Sequence, residues 1–266
     1  MKHAPNIAPN VSRDFTLPLE VYGGELLTFE LPDLGGEWQP LPEHFLEGIS
    51  FTSRFTASGS HYPWWMQTVH VFGGSIIGTN NRAIVEYSAG EGELECALSV
   101  KQVRLIKAIG SRPTQVNTPA RPTADKYLHF KWQNGSRLAL SRLMRPEQRL
   151  RKLFSRVAWN EFSAVDENWR AQILGHFSFK PIKDNSGLIT IYPERVTGGV
   201  FDNRADIELP IKTPTEREVV FEQAHLLSVL KVASEIKFIH EGDHSKLLFK
   251  ADNVRGFLAA RQRVPS

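Results

Sequence analysis

One stretch of the chain has the residue types and spacing of a zinc hydrolase. His240-Glu241-Gly242-Asp243-His244 spells H-E-x-x-H. On a helix, that spacing sets two imidazoles one turn apart on one face, with the glutamate beside the metal-bound water as general base. Here the stretch lies between two short apolar runs, Ile236-Lys237-Phe238-Ile239 and Leu247-Leu248-Phe249, and has Gly-Asp at its centre. That composition belongs to a hairpin turn, in which the imidazoles do not converge. Other chemical patterns are weaker still. Ser58-Gly59-Ser60-His61 lacks the spacing of a nucleophile elbow. Gly73-Gly74-Ser75-Ile76-Ile77-Gly78 has neither the lysine nor the strand-to-helix setting of a phosphate loop. Cys96, the single cysteine, has no neighbouring cue for thiolate activation and cannot form an intramolecular disulfide. Acidic residues such as Asp202 and Asp206 are scattered over turns and strands. The expectation is a protein with no catalytic residues, no metal and no cofactor.

Charge is more informative. The net charge is only +3, but its distribution is uneven. Between Lys101 and Arg156 the basic residues far outnumber the acidic Asp125 and Glu147. Such a block fits a polyanionic partner, nucleic acid first among them. Ser99 has the chemistry of an N-cap for a helix running to Ile109, which Gly110 ends. If Val103, Ile106 and Ile109 face the core, Lys101, Arg104 and Lys107 form a cationic stripe on another face. A later helix, His225 to Ala233, carries His225, Ser228 and Lys231 in a comparable stripe. Cations on helices that cover a sheet suit contact with phosphates rather than base edges.

The elements that must position these residues alternate between helix and strand periods. The first dozen or so residues, rich in Asn and Pro, read as a flexible arm over 1–14. A hairpin is expected over Phe15 to Pro32, around Gly23-Gly24. A helix is expected over Pro42 to Arg54, then strands over Trp65 to His70 and Ser75 to Tyr87. A hairpin around Asn134-Gly135 joins Tyr127–Trp132 to Arg137–Leu143. The second half repeats the order: a helix over Glu167 to Phe177, several strands, the helix from His225, a hairpin around Gly242, and a strand over Gly256 to Ala260. This predicts an α+β fold of two tandem domains, 15–148 and 149–266, with their boundary near Pro146 to Lys152. The amino-terminal residues do not form a secretory signal, and no apolar run approaches the roughly 20 residues of a membrane span. A soluble, cytoplasmic protein with no membrane partner is expected.

The order of elements resembles the DNA sliding clamps, the bacterial β clamp and its relatives, which include eukaryotic proliferating cell nuclear antigen. Ser75-Ile76-Ile77-Gly78-Thr79-Asn80-Asn81-Arg82-Ala83-Ile84-Val85 is similar to the clamp's strand–turn–strand segment with core Ala-Thr-Asp-Gly-His-Arg-Leu, with a turn one residue shorter. Leu98-Ser99-Val100 continues the match into the helix. Ser141-Arg142-Leu143-Met144-Arg145-Pro146-Glu147 matches a strand and linker, and Arg217 to Lys231 and Lys246 to Arg261 match parts of the last clamp domain. The resemblance implies clamp-fold domains, six of which close a ring around duplex DNA, so that two domains per chain call for three chains. It implies no catalysis, a processivity role, an ATP-dependent clamp loader, and DNA polymerase and other partners bound through short peptides. It implies that Lys101, Arg104, Lys107, His225 and Lys231 face DNA. For the partner peptide it implies a pocket made of Thr79, Arg82, Ala83, Pro146, Leu150, Leu258, Ala259 and Ala260, with Leu258-Ala259-Ala260 standing where the family has Met-Pro-Met. Unlike the acidic familiar clamps, the chain has an isoelectric point near 9.0. The alternative reading of the residues is a basic nucleic-acid-binding protein that does not close a ring, with Trp132 beside Lys131 as a stacking candidate. A hydrolase built from scattered His and Asp residues is a third.

Overall fold

The computed structural model describes residues 14–16, 37–117, 127–141, 145–178, 187–200 and 205–261. All of the expected arm but Asp14, which starts a strand, and all but the start of the hairpin over 15–32 lie outside these residues. The first half contains β1 (Asp14–Thr16), β2 (Trp38–Pro40), α1 (Phe45–Thr52), β3 (Thr68–Phe72), β4 (Ser75–Thr79), β5 (Ala83–Ser88) and β6 (Glu95–Ser99). It continues with α2 (Val100–Ala108), β7 (Gln115–Asn117), β8 (Tyr127–Lys131) and β9 (Arg137–Ser141). The second half contains α3 (Arg149–Ser155), β10 (Ser163–Ala164), α4 (Glu167–Phe177), β11 (Leu188–Tyr192), β12 (Arg195–Val200) and β13 (Ala205–Leu209). It ends with β14 (Val219–Glu222), α5 (Gln223–Leu230), β15 (Glu235–Glu241), β16 (His244–Lys250) and β17 (Val254–Ala259).

Local chemistry explains the best-defined of these. Ser99 accepts a hydrogen bond from the Gln102 amide at 3.2 Å, and the Gln102 side chain accepts one from the Ser99 amide at 2.9 Å. This capping box starts α2, and Gly110, at φ +84°, follows its end. Gln102 also donates to the Ser141 carbonyl at 2.7 Å, tying α2 to the end of β9. Asp166 caps α4 through the Trp169 amide at 2.9 Å, and the helix buries Trp169, Ile173 and Phe177. The β8–β9 hairpin turns at Gly135, at φ +84°.

The strands form three sheets, ordered β1-β9-β8-β7-β2, β10-β15-β16-β17-β5-β4-β3-β6, and β13-β12-β11-β14. The first and last belong to one half each. The eight-stranded sheet belongs to both, because β17 pairs antiparallel with β5 and sets Gly256 opposite Val85 and Leu258 opposite Ala83. A Cβ on Gly256 would collide with the Ile84 carbonyl and the Phe249 ring, so the seam needs glycine there. One core lies between the five-stranded sheet, α1, α2 and the β3–β6 end of the shared sheet. A second lies between the four-stranded sheet, α4, α5 and the β15–β17 end. Alternation along the strands puts Ile76 and Val85 towards these cores, and Ile77 and Ile84 towards the opposite face.

That opposite face carries the main departure from expectation. The stretch expected as a domain boundary contains α3, whose Leu150 and Phe154 pack on Phe72, Ile77 and Ile84, with Trp65, Trp159 and Phe257 at the margin. Fully buried His70 holds its start: its Nδ1 accepts from the Glu147 amide at 3.1 Å, and its Nε2 lies 2.7 Å from the Trp65 carbonyl. Burial pushes the His70 imidazole below its ordinary range, so it stays neutral in this role. The strand expected from Trp65 starts only at Thr68, because Trp64–Gln67 form a 3₁₀ turn.

Candidate nucleic-acid interface and partner site

The spacing that predicted a cationic stripe on α2 holds in three dimensions. Gln102, Val103 and Ile106 are buried, while Lys101, Arg104 and Lys107 are exposed. Among the described residues no carboxylate pairs with any of the three, so the face keeps its positive charge. On α5, Lys231 is exposed at the carboxyl end.

His225 departs from that stripe. It is half-buried, with its ring stacked on Phe55 at 6.0 Å, its Nδ1 3.0 Å from Glu222 and its Nε2 2.8 Å from the Asn80 amide nitrogen. Asn80 is itself fixed, since its carbonyl oxygen accepts the amides of Arg82 at 3.1 Å and Ala83 at 2.9 Å. Its nitrogen therefore points at His225 as donor, and Nε2 is the acceptor. Glu222 also receives Arg261 at 2.9 Å. The hydrogen bond from His225, then that from Arg261, hold the Glu222 carboxyl down to about 2 against the opposing cost of burial. His225 thus works as a strut between the halves, joining the β4–β5 turn to α5, rather than as a cation offered to solvent.

The residues expected to form one peptide pocket fall on two faces of the shared sheet. Thr79 is buried and donates to the Ala83 carbonyl at 2.8 Å. Ala83 and Leu258 are buried in the core beneath α5. Arg82 is exposed, its carbonyl accepting the Ala259 amide at 2.7 Å, and Ala260 bonds to Ser245 at 2.8 Å. Pro146 and Leu150 are buried on the far side with α3. The strand period separates these groups, because Ala83 and Leu258 face one way and their neighbours Ile84 and Phe257 the other. The structure does bring Arg82, Leu258 and Ala259 together, around a cavity of about 10 Å³ completed by Phe221, Glu222, His225 and Arg261. That space suits a single water rather than a side chain. Asn80, Glu222 and Arg261 were not anticipated here. The three-residue spacing of Glu222 and His225 was the one local signal.

The H-E-x-x-H stretch is a hairpin. Glu241 pairs with His244 and His240 with Ser245 across β15 and β16, so the two histidines lie on opposite faces of the ribbon. His240 is engaged by Ser245 at 2.8 Å and Thr215 at 3.3 Å. Among the described residues no cluster of three or more His, Cys, Asp or Glu side chains is arranged to hold a metal.

No protein-family model matches the chain, and no curated protein matches its sequence. Solved structures do match. The β sliding clamp of C. crescentus is 15% identical, with 92% of this chain and 70% of that chain covered and a TM-score of 0.61. The DNA polymerase sliding clamp of Bacillus subtilis is 13% identical over 88% of this chain and 67% of that one, with a TM-score of 0.62. That of Pseudomonas aeruginosa is 10% identical over 88% and 69%, with a TM-score of 0.59. At such identities it is the backbone arrangement alone that is shared. The chain has the fold of a bacterial DNA polymerase sliding clamp.

Proposed function

We propose that this protein is a sliding-clamp subunit: a non-enzymatic processivity factor that encircles duplex DNA and tethers a polymerase to it. The observation that carries the reading is the exposed, unneutralised face of Lys101, Arg104 and Lys107 on a helix of a clamp fold. Cations on a rigid helix attract phosphates irrespective of sequence, and that attraction weakens with salt. A sliding protein needs this weak, non-reading contact. In this account two domains, 15–148 and 149–266, are joined by the shared sheet, and three chains close a six-domain ring by pairing sheet edges. An ATP-dependent loader opens it, and it acts in the cytoplasm at replicating DNA. Partners dock through short peptides and gain effective concentration at the template rather than a chemical step. The seam of Thr79, Arg82, Ala83, Leu258, Ala259 and Ala260 would have to open beyond its present cavity to take such a peptide.

Charge reversal on α2 tests the DNA face. Arg104→Glu with Lys107→Glu should abolish salt-sensitive association with duplex DNA and processive synthesis, while thermal stability and assembly mass stay unchanged. Synthesis equal to that of the parent protein would remove α2 from the DNA face.

A further inference from the structure

The start of α3 hangs on one titratable ring. His70, on β3, has no surface in solvent, and both of its nitrogens are committed. Nε2 lies 2.7 Å from the Trp65 carbonyl, which can only accept, so that nitrogen carries the hydrogen. The Thr68 hydroxyl stands 3.1 Å from the same nitrogen. Nδ1 lies 3.1 Å from the Glu147 amide, which can only donate, so Nδ1 must offer a lone pair. One tautomer of the neutral ring satisfies both contacts. The imidazolium satisfies only one, because a hydrogen on Nδ1 would point at the Glu147 N–H. The Glu147 carbonyl in turn accepts the Leu150 amide at 3.1 Å, so this residue sets the first turn of α3. Through Leu150 and Phe154 the helix then covers Phe72, Ile77, Ile84 and Phe257, one from each of four strands of the shared sheet.

The surroundings do not hold a charge on the ring. Trp64 and Phe72 flank it, with centroids 5.9 and 6.4 Å away. Its cross-strand neighbours, Ile77 on β4 and Ala97 on β6, are apolar. Glu95, the next residue on that face of β6, is exposed and opposite Phe72. Arg151 of α3 lies over the Phe72 ring at 5.6 Å and opposes a second cation. The Glu147 carboxylate favours one, but it already accepts the Arg149 amide at 3.2 Å and lies 3.8 Å from Arg149 Nε. Burial is the strongest influence and pushes the imidazole below its ordinary range, against the Trp65 carbonyl and the Glu147 carboxylate.

We propose that His70 is a pH-released latch for α3: the neutral ring holds Glu147, and with it the helix, against the shared sheet, and a proton on Nδ1 frees both. The proposal does not depend on the clamp reading. With α3 lifted, the ring meets water and regains its ordinary value of 6.5, whereas the closed form takes up a proton less readily. Closure is therefore complete above that value and weakens as pH falls below it. The opening constant rises by up to about tenfold per pH unit until the depressed value of the closed form is reached. Hydrogen exchange over 147–155 in the intact protein tests this, read by mass spectrometry at pH 7, 6 and 5 and corrected for the intrinsic pH dependence of amide exchange. Opening of this segment should rise with acid while that of α2 and α4 does not. Glu147→Gln should keep the rise, which assigns it to the ring rather than to that carboxylate. His70→Asn, whose Oδ1 can accept from the Glu147 amide without titrating, should flatten the profile. His70→Gln, which can reach the Trp65 carbonyl but offers Glu147 no acceptor, should leave the segment open at every pH. A flat corrected profile in the parent, or a rise that survives in His70→Asn, would overturn the proposal. So would an equal rise in α2 and α4, the mark of global unfolding. If His70→Asn does not fold, the parent and Glu147→Gln profiles decide.

Discussion

At the scale of single residues, the firmest arrangement is the knot of Asn80, Glu222, His225 and Arg261, which fastens the two halves through side chains. Its energetic centre is Glu222. A carboxyl held at about 2 is stabilised in the folded state relative to an unfolded value near 4.5. The contribution is therefore complete above about pH 4.5 and is lost as pH falls through that window towards 2. Glu222→Gln should cost about 2 kcal/mol at pH 7, a figure reduced for the partial exposure of the group. Urea denaturation at pH 7 and pH 3 should show the gap between parent and variant narrowing with acid, and a gap that stays constant would deny the carboxylate this role. Lys101, Arg104 and Lys107 were legible in the sequence because a helical period alone separates them from Val103 and Ile106. His225 was not, because its partner Asn80 lies 145 residues away and no local pattern announces such a contact.

At the scale of elements, chemistry written next to an element was readable and chemistry written far from it was not. The Ser99 cap, the Gly110 stop, the Asn134-Gly135 hairpin and the apolar spacing of α4 all lie within a turn of what they determine. The start of α2 can be tested directly. Ser99→Ala should cost about 1 kcal/mol in urea denaturation by leaving the Gln102 amide without its acceptor. α3 escaped notice because Arg149–Ser155 is short and its charges read as linker, while its two buried residues find their partners only in the folded sheet. Phe154 is the larger of these and stacks on Trp159 at 5.9 Å. Phe154→Ala should cost about 3 to 4 kcal/mol, measured by the same denaturation. A loss under 1 kcal/mol would show that α3 is loosely held.

At the scale of the whole molecule, the pairing of β17 with β5 turns two similar halves into one sheet-bonded body. The repeated order of helix, strands, helix and hairpin was visible along the chain, but this seam was not, because it joins residues 83 to 87 with 254 to 258. A continuous seam is what a ring built from such units needs within each chain, and open sheet edges are what it needs between chains. Assembly follows as an expectation: native mass spectrometry across a concentration series should show a species of about 90 kDa, three copies of the 30.1 kDa chain. A two-fold dimer at every concentration would be inconsistent with two clamp units per chain. Encirclement itself is a topological claim, so the measurement that bears on it most directly is retention on circular DNA. Subunits dissociated by dilution, mixed with a nicked plasmid and concentrated again so that rings close around the circle without the loader, then freed of unbound protein by gel filtration, should co-elute with the circle and be released when one restriction cut makes it linear. Retention that survives the cut, or that never exceeds retention on linear DNA of the same length, would contradict the ring.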